Sequence, residues 1–259
     1  MRRRNVITSA GALFALGGIS TVSGRPDNQP VPAEDAGVEK AVKKLLRKGQ
    51  HKQVKELLDR HNVNYVMESQ SVASDDEAST EGRYSESSSE LYLTVVEMSG
   101  DDRWLATGAG TLSNRRTRVR DAAIIEDACG ITVDTNEWTL LGSDHIWYNA
   151  DSDGYNGADM EITDVDPNAG VSAEVTLPQL LDDKTTVNLQ VELEKTGSVD
   201  EAPIFFDYEH TWAYLDVAPS IQTYIETESD NGILMVLLDY ASTAWDVNLD
   251  AAPGGSDTS

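Results

Sequence analysis

Polar and apolar positions alternate with period two through most of the second half of the chain. In "TTVNLQVELE", Val187, Leu189, Val191 and Leu193 fall on one face and Asn188, Gln190, Glu192 and Glu194 on the other. That is the pattern of an antiparallel strand with one buried face. "LYLTVVEM" and "RWLATGAGTL" precede it as strands, and "GITVD" and "WTLLG" flank the turn residues Thr135 and Asn136. "SIQTYIET" and "ILMVLLDY" flank "ESDNG", where Asn231 and Gly232 suit a hairpin turn. Many short strands separated by Gly, Asp and Asn turns, with no long helical pattern among them, predict a mainly β fold, an antiparallel β-sandwich over residues 91–250.

The period changes upstream. Val38, Ala41, Val42, Leu45 and Leu46, then Val54, Leu57 and Leu58, follow helical spacing, so residues 25–66 read as a short α-helical hairpin. Asp35 is placed to cap the first helix, Gly49 to end it, and the second helix stops near Asn62. "VNYVMES" then reads as a short strand. Both apolar stripes are narrow, so the pair needs a surface to dock on. Residues 67–90, centred on "SVASDDEASTEGRYSESSSE", are Ser- and Glu-rich and almost free of aliphatics. Such a segment buries too little to offset its ordering entropy and predicts a disordered linker. Residues 251–259 predict a fraying tail.

The first 24 residues carry Arg2, Arg3 and Arg4, a short apolar run and small residues near Gly24, the layout of a signal peptide. "RRNVI" resembles the twin-arginine export signal, which implies export in the folded state; an ordinary secretory signal with an extra arginine is the alternative. Either predicts an extracellular or cell-surface location, with membrane contact only through an uncleaved signal. The single cysteine, Cys129, excludes an internal disulfide and a lipidated N-terminal cysteine. A chain of this length can build its own core without one.

Charge sharpens this picture. The chain has 45 acidic and 20 basic residues, a net charge of −25. Removing the signal takes away three arginines and no acid, leaving about −28. Acid-rich, lysine-poor surfaces of this kind resemble those of exported proteins of extremely halophilic archaea, which implies a fold adapted to molar salt. Residues 37–61 are the exception, with 8 cations against 3 acids. From residue 62 onward, 8 cations face 39 acids. The basic helical pair is therefore expected to dock on its own acidic domain. Nucleic acid is excluded as a general partner, because phosphate binding needs clustered cations.

Candidate chemistry is sparse. "YNADSDGYNGADMEI" places Asp151, Asp153, Asn156 and Asp159 around Gly154. Counted from Asn149, it resembles the EF-hand or dockerin-type loop, which implies calcium. It departs from that pattern at Met160, where a bidentate acid belongs; an acidic turn on an acidic surface is the alternative. In "IFFDYEHTWAYLD", Phe206, Tyr208, His210, Trp212 and Tyr214 share one face. Tyr208, His210 and Trp212 form either a sugar-stacking row or a wall of the core. On the opposite face Asp207 and Glu209 are a glycosidase-like pair without a facing partner. Arg116, Arg118 and Arg120 align as anion binders or as partners of nearby acids. The four histidines show no metal-ligand spacing. The reading is a secreted or cell-surface binding or interaction module with no cofactor beyond calcium. The alternatives are a secreted hydrolase with carboxylates from separate strands and a toxin-like effector.

Overall fold

The computed structural model of the chain describes residues 29–72, 89–113, 126–152, 157–177, 184–199, 201–213 and 220–253. The signal segment, residues 73–88 of the expected linker, the arginines of "RRTRVR", Asp153, Asn156 and Tyr214 lie outside these residues. Among the described residues, two helices, α1 (Glu39–Leu46) and α2 (His51–His61), precede thirteen strands. The strands are β1 (Tyr65–Val72), β2 (Ser89–Ser99), β3 (Arg103–Ser113), β4 (Glu126–Val133), β5 (Trp138–Leu140), β6 (Ile146–Ser152) and β7 (Asp159–Asp166). After them come β8 (Gly170–Thr176), β9 (Lys184–Lys195), β10 (Ile204–Ala213), β11 (Ser220–Glu228), β12 (Asn231–Asp239) and β13 (Ala241–Ala251).

The strands form an antiparallel sandwich. The first sheet runs β1-β2-β3-β9, with β5 and β6 both paired to the far side of β9; the second runs β13-β10-β4-β8-β7. Alternation on β9 buries Val187, Leu189, Val191 and Leu193 between the sheets, against Ile131, Val171, Phe206, Val247 and their neighbours. Gly108 of β3 is part of the same fit, since a Cβ there would stand 2.1 Å from the Phe206 ring. The edges β1 and β13 approach each other, as do β6 and β7, which covers edge groups that would otherwise invite pairing.

Each outer face carries an accessory element. On the first sheet, Val42 and Leu46 of α1 and Val54 and Leu58 of α2 are fully buried with Val96, Met98 and Leu105. Aliphatics buried in this way each stabilise the fold by ~1.5–3 kcal/mol. Lys43 Nζ reaches Glu192 of β9 at 2.7 Å, and the chain before α1 is hydrogen-bonded to the end of β2 through Ala33 and Glu34. Asp35 does not cap α1: the cap position is Val38, with no side-chain hydrogen bond. Gly49, at φ +62, and Asn62, at φ 52, close the two helices in left-handed conformation.

On the second sheet, the hairpin β11–β12 forms its own two-stranded ribbon. Ile221, Ile225, Leu234 and Val236 pack on Ala128 and Ala169. Its turn is Ser229–Asp230, both at positive φ, rather than Asn231–Gly232. Gly232 is used for close approach instead: a Cβ there would lie 1.9 Å from the carbonyl oxygen of Ala169. Residues 67–72 and 89–90, expected in the linker, instead continue β1 and begin β2, paired from Tyr65 opposite Val96 to Val72 opposite Ser89. Ala251, expected in the tail, likewise still pairs with Ile204.

Candidate functional site

Four strand residues build a buried polar cluster inside the second sheet. Asp127 lies on the inward face of β4 in phase with Cys129, Ile131 and Val133. Its neighbour β10 directs Tyr208 and His210 to the same side. The Tyr208 hydroxyl donates to Asp127 Oδ2 at 2.5 Å. His210 Nδ1 lies 2.9 Å from each carboxylate oxygen. A register shift between His210 and Thr211 turns the Thr211 backbone N–H inward, where it donates to Asp127 Oδ1 at 3.0 Å. Thr211 Oγ1 donates in turn to the Glu126 carbonyl at 2.7 Å. Trp245 of β13 stacks on Tyr208 with ring centroids 5.6 Å apart and tilts over His210 at 5.1 Å. Asp127 and Tyr208 are 1% exposed and His210 3%. The carboxylate–imidazole geometry is that of an acid–base relay, but it is enclosed by the core. Cys129 beside it is buried and its thiol is pushed upward by that burial, then by the charge of Asp127, which makes it inert.

The opposite face of the same strands carries a row of acids. Glu161 of β7 faces Glu174 of β8, Glu174 faces Ala128 of β4, Ala128 faces Glu209 of β10, and Glu209 faces Asp246 of β13. Asp164 and Asp207 lie in the adjacent row. Part of this face holds the hairpin: Asp164 Oδ2 accepts the Ile225 N–H at 2.9 Å, and Thr223 bonds Thr163 and Glu174. Glu209 is 3% exposed. Its Oε1 accepts from Thr243, while Oε2 has no partner among the described residues. Burial first, and then the charges of Asp246, Asp127 and Asp207, push its carboxyl up to about 7 despite the Thr243 bond. Asp207, partly open to water, is shifted the same way by burial, to about 6.

Glu209 gives a pH dependence of unusual sign. Its ordinary value is 4.5 and its value in the fold about 7, so the fold favours the protonated form. The stability it contributes is complete below about pH 4.5 and is lost as pH rises to about 7, by about 3 kcal/mol. Melting temperature in constant salt should therefore fall across that window, and Glu209→Gln should flatten the profile and melt higher at pH 8. A variant whose slope matches the native one would show that Glu209 is not the titrating group.

The sequence-predicted residues end in different places. Tyr208 and His210 face the core. Trp212 is paired through its backbone with Ser242, and its ring is not among the described side chains. Asp151, on β6, faces Thr186, and Asp159, opening β7, faces Thr176; both are exposed. Among the described residues, no three His, Cys, Asp or Glu side chains are grouped to hold a metal ion. Asp127 and Trp245 were missed by sequence reasoning. The signal for Asp127 was present, since the period-two pattern of Cys129, Ile131 and Val133 extends back to it. Strand pairing places Asp246 opposite Glu209 and Asn248 opposite Asp207, neighbours that only the fold reveals.

No family model matches the chain, and no curated protein matches it. Among solved structures it is similar to a pore forming protein, at 9% identity and a TM-score of 0.32, covering 73% of this chain and 91% of that one. It is similar to Clostridium perfringens delta-toxin, at 8% identity and 0.34, covering 73% and 89%. A structure reported for the pH-induced modulation of Streptococcus parasanguinis adhesion by Fap1 fimbriae is similar at 11% and 0.29, covering 74% and 97%. Scores this low assign no activity to this chain.

Proposed function

We propose that this protein is an exported binding module working at or outside the cell surface in high salt, rather than a hydrolase. One observation carries the reading: the cluster most like an acid–base relay, Asp127 with His210 and Tyr208, is sealed in the sandwich core. Catalytic groups must reach the proton they move, and these three reach one another. The outer faces of the sandwich, each with an accessory element, are the surfaces left for recognition. Incubation in about 3 M potassium chloride, where screening is strongest, with p-nitrophenyl glycosides and esters tests this. The expected result is no release above the blank. Release above the blank that Asp127→Asn, Glu209→Gln or Asp246→Asn abolishes in a protein that stays folded would establish the hydrolase instead.

The loop between β6 and β7 is read as a weak calcium subsite built from Asp151, Asp153, Asn156 and Asp159, with affinity of roughly 10⁻⁴ to 10⁻³ M, as in extracellular modules. Calorimetry should show a calcium heat that Asp151→Ala combined with Asp153→Ala removes, and no matching heat from magnesium. Equal heats from both proteins reduce the loop to an acidic turn.

A further inference from the structure

The outer face of the first sheet changes character beneath the turn between α1 and α2. Under the helices themselves it is apolar, with Val96, Met98 and Leu105. Under the turn it is polar. One cross-strand row reads Thr94, Thr107, Gln190, Trp147 from β2 to β6; the next reads Tyr92, Ala109, Asn188, Asn149. Thr94, Thr107, Asn188 and Gln190 are all at most 2% exposed. Gln190 is satisfied, donating to Thr107 Oγ1 and accepting from Arg47 Nε, both at 3.1 Å. Among the described residues, Thr94 Oγ1, Asn188 Oδ1 and, above them, His51 Nδ1 have no hydrogen-bond partner.

Three orphaned groups in one interface are costly, since each has lost water without gaining a partner. A face that only had to seat helices would be apolar, as its other half is. At either end an aromatic ring is already stacked: the His51 imidazole lies on Tyr92, with centroids 4.1 Å apart and planes 7° from parallel, and the Arg47 guanidinium sits 5.0 Å over Trp147. Three strand spacings and a two-residue step along the strands separate the two positions, about 16 Å. Two aromatic faces with hydroxyls and carboxamides between them match a short run of sugar rings, which present C–H faces to stack and hydroxyls to pair. Molar salt favours such a neutral ligand, because charge-based recognition is screened within about 3 Å at 1 M.

We propose that this face is a saccharide-binding platform, on which Arg47 and His51 hold the two stacking positions until a sugar displaces them. The inference rests on the binding-module reading and deepens it. Only the turn over residues 47–51 has to lift; Val42, Leu46, Val54 and Leu58 stay docked. Gly49 at the centre of that turn carries no side chain to obstruct the movement, and its left-handed φ of +62 marks the joint.

The test is calorimetric titration of the full chain in potassium chloride with laminarihexaose, mannohexaose and xylohexaose. One of these should bind. Arg47→Ala combined with His51→Ala frees both rings and should tighten binding several-fold. Trp147→Ala and Asn188→Ala, each in the full chain, should weaken it by about tenfold or more, the loss of one stacked ring or one hydrogen bond. Asn188→Ala removes an orphaned group, so its melting temperature should not fall, and it serves as the folded control should Trp147→Ala unfold. If none of the three sugars binds the native chain or the Arg47/His51 variant, the platform is overturned. Binding that survives Trp147→Ala and Asn188→Ala also overturns it, but leaves the binding-module reading standing. Cleavage of a bound hexasaccharide would instead overturn the binding-module reading.

Discussion

Transfer from about 3 M to about 0.1 M potassium chloride should unfold the protein, because the screening length grows from under 3 Å to about 10 Å. The acid row shows where the repulsion acts. Glu161 and Glu174 face each other across β7 and β8, Glu209 and Asp246 across β10 and β13, and Asp164 and Asp207 flank them. Directly paired strand residues have Cβ atoms about 5 Å apart, close enough that like charges are destabilising. Burial, followed by the charge of Glu126, pushes the Glu174 carboxyl up, so this row is short of both water and cations. Salt also weakens the attractive pairs, such as those of Lys43, Lys55 and Arg103 with their carboxylates. Against a net charge of −25, repulsion decides the sign. Circular dichroism of the full chain through a potassium chloride series should show a melting temperature that climbs with salt. A flat series would remove the salt-adapted reading altogether.

Strands were legible in the sequence because a period of two has one physical cause, a sheet with one face in a core. On β9 the pattern assigned Val187, Leu189, Val191 and Leu193 to that core correctly. It was silent on what covers the other face. Asn188 and Gln190 look like solvent-facing positions, yet they are buried because the helical turn lies over them. Nothing local to β9 carries that information. The hairpin between β11 and β12 shows a second limit. Asn231–Gly232 has the composition of a two-residue turn, but a glycine serves a tight turn and a close approach equally well. Here the carbonyl of Ala169 decides, and the turn moves back to Ser229–Asp230. The Ser-rich stretch shows a third. Polar composition predicted a linker from residue 67, but "MESQSV" gains a full ladder of backbone bonds against β2. Pairing of that kind depends on the neighbour's hydrophobic face rather than on the segment's own.

The candidate site was legible one residue at a time and opaque as an assembly. Tyr208 and His210 attracted notice as aromatic and titratable groups on one strand face, and the choice between a sugar platform and a core wall could not be made from β10 alone. The partner that makes them a wall, Asp127, lies some eighty positions earlier and is joined to them by strand pairing and a bulge. The aromatic positions that suit a sugar, Tyr92 and Trp147, lie on two strands separated by β3 and β9 and carry no local motif.

Removing the Asp127 carboxylate should be the most damaging single substitution in the core. Asp127→Ala leaves the Tyr208 hydroxyl, the His210 Nδ1 and the Thr211 N–H without their shared acceptor, at 1–3% exposure. Breaking a buried charged network from one side costs about 3–5 kcal/mol, more than removing any one neutral hydrogen bond. Tyr208→Phe removes a single donor and keeps the ring that stacks on Trp245, so it should cost about 1 kcal/mol. Asp127→Asn should fall between them, since its amide can still accept from Thr211 but offers N–H groups where Tyr208 and His210 require an acceptor. Urea denaturation in molar potassium chloride would rank the three by midpoint at constant slope. The same order should not appear in ligand binding by those variants that stay folded, because Asp127 lies inside the second sheet and the proposed platform is on the outer face of the first. A midpoint for Asp127→Ala within error of the native protein would mean that the cluster does not hold the sandwich together.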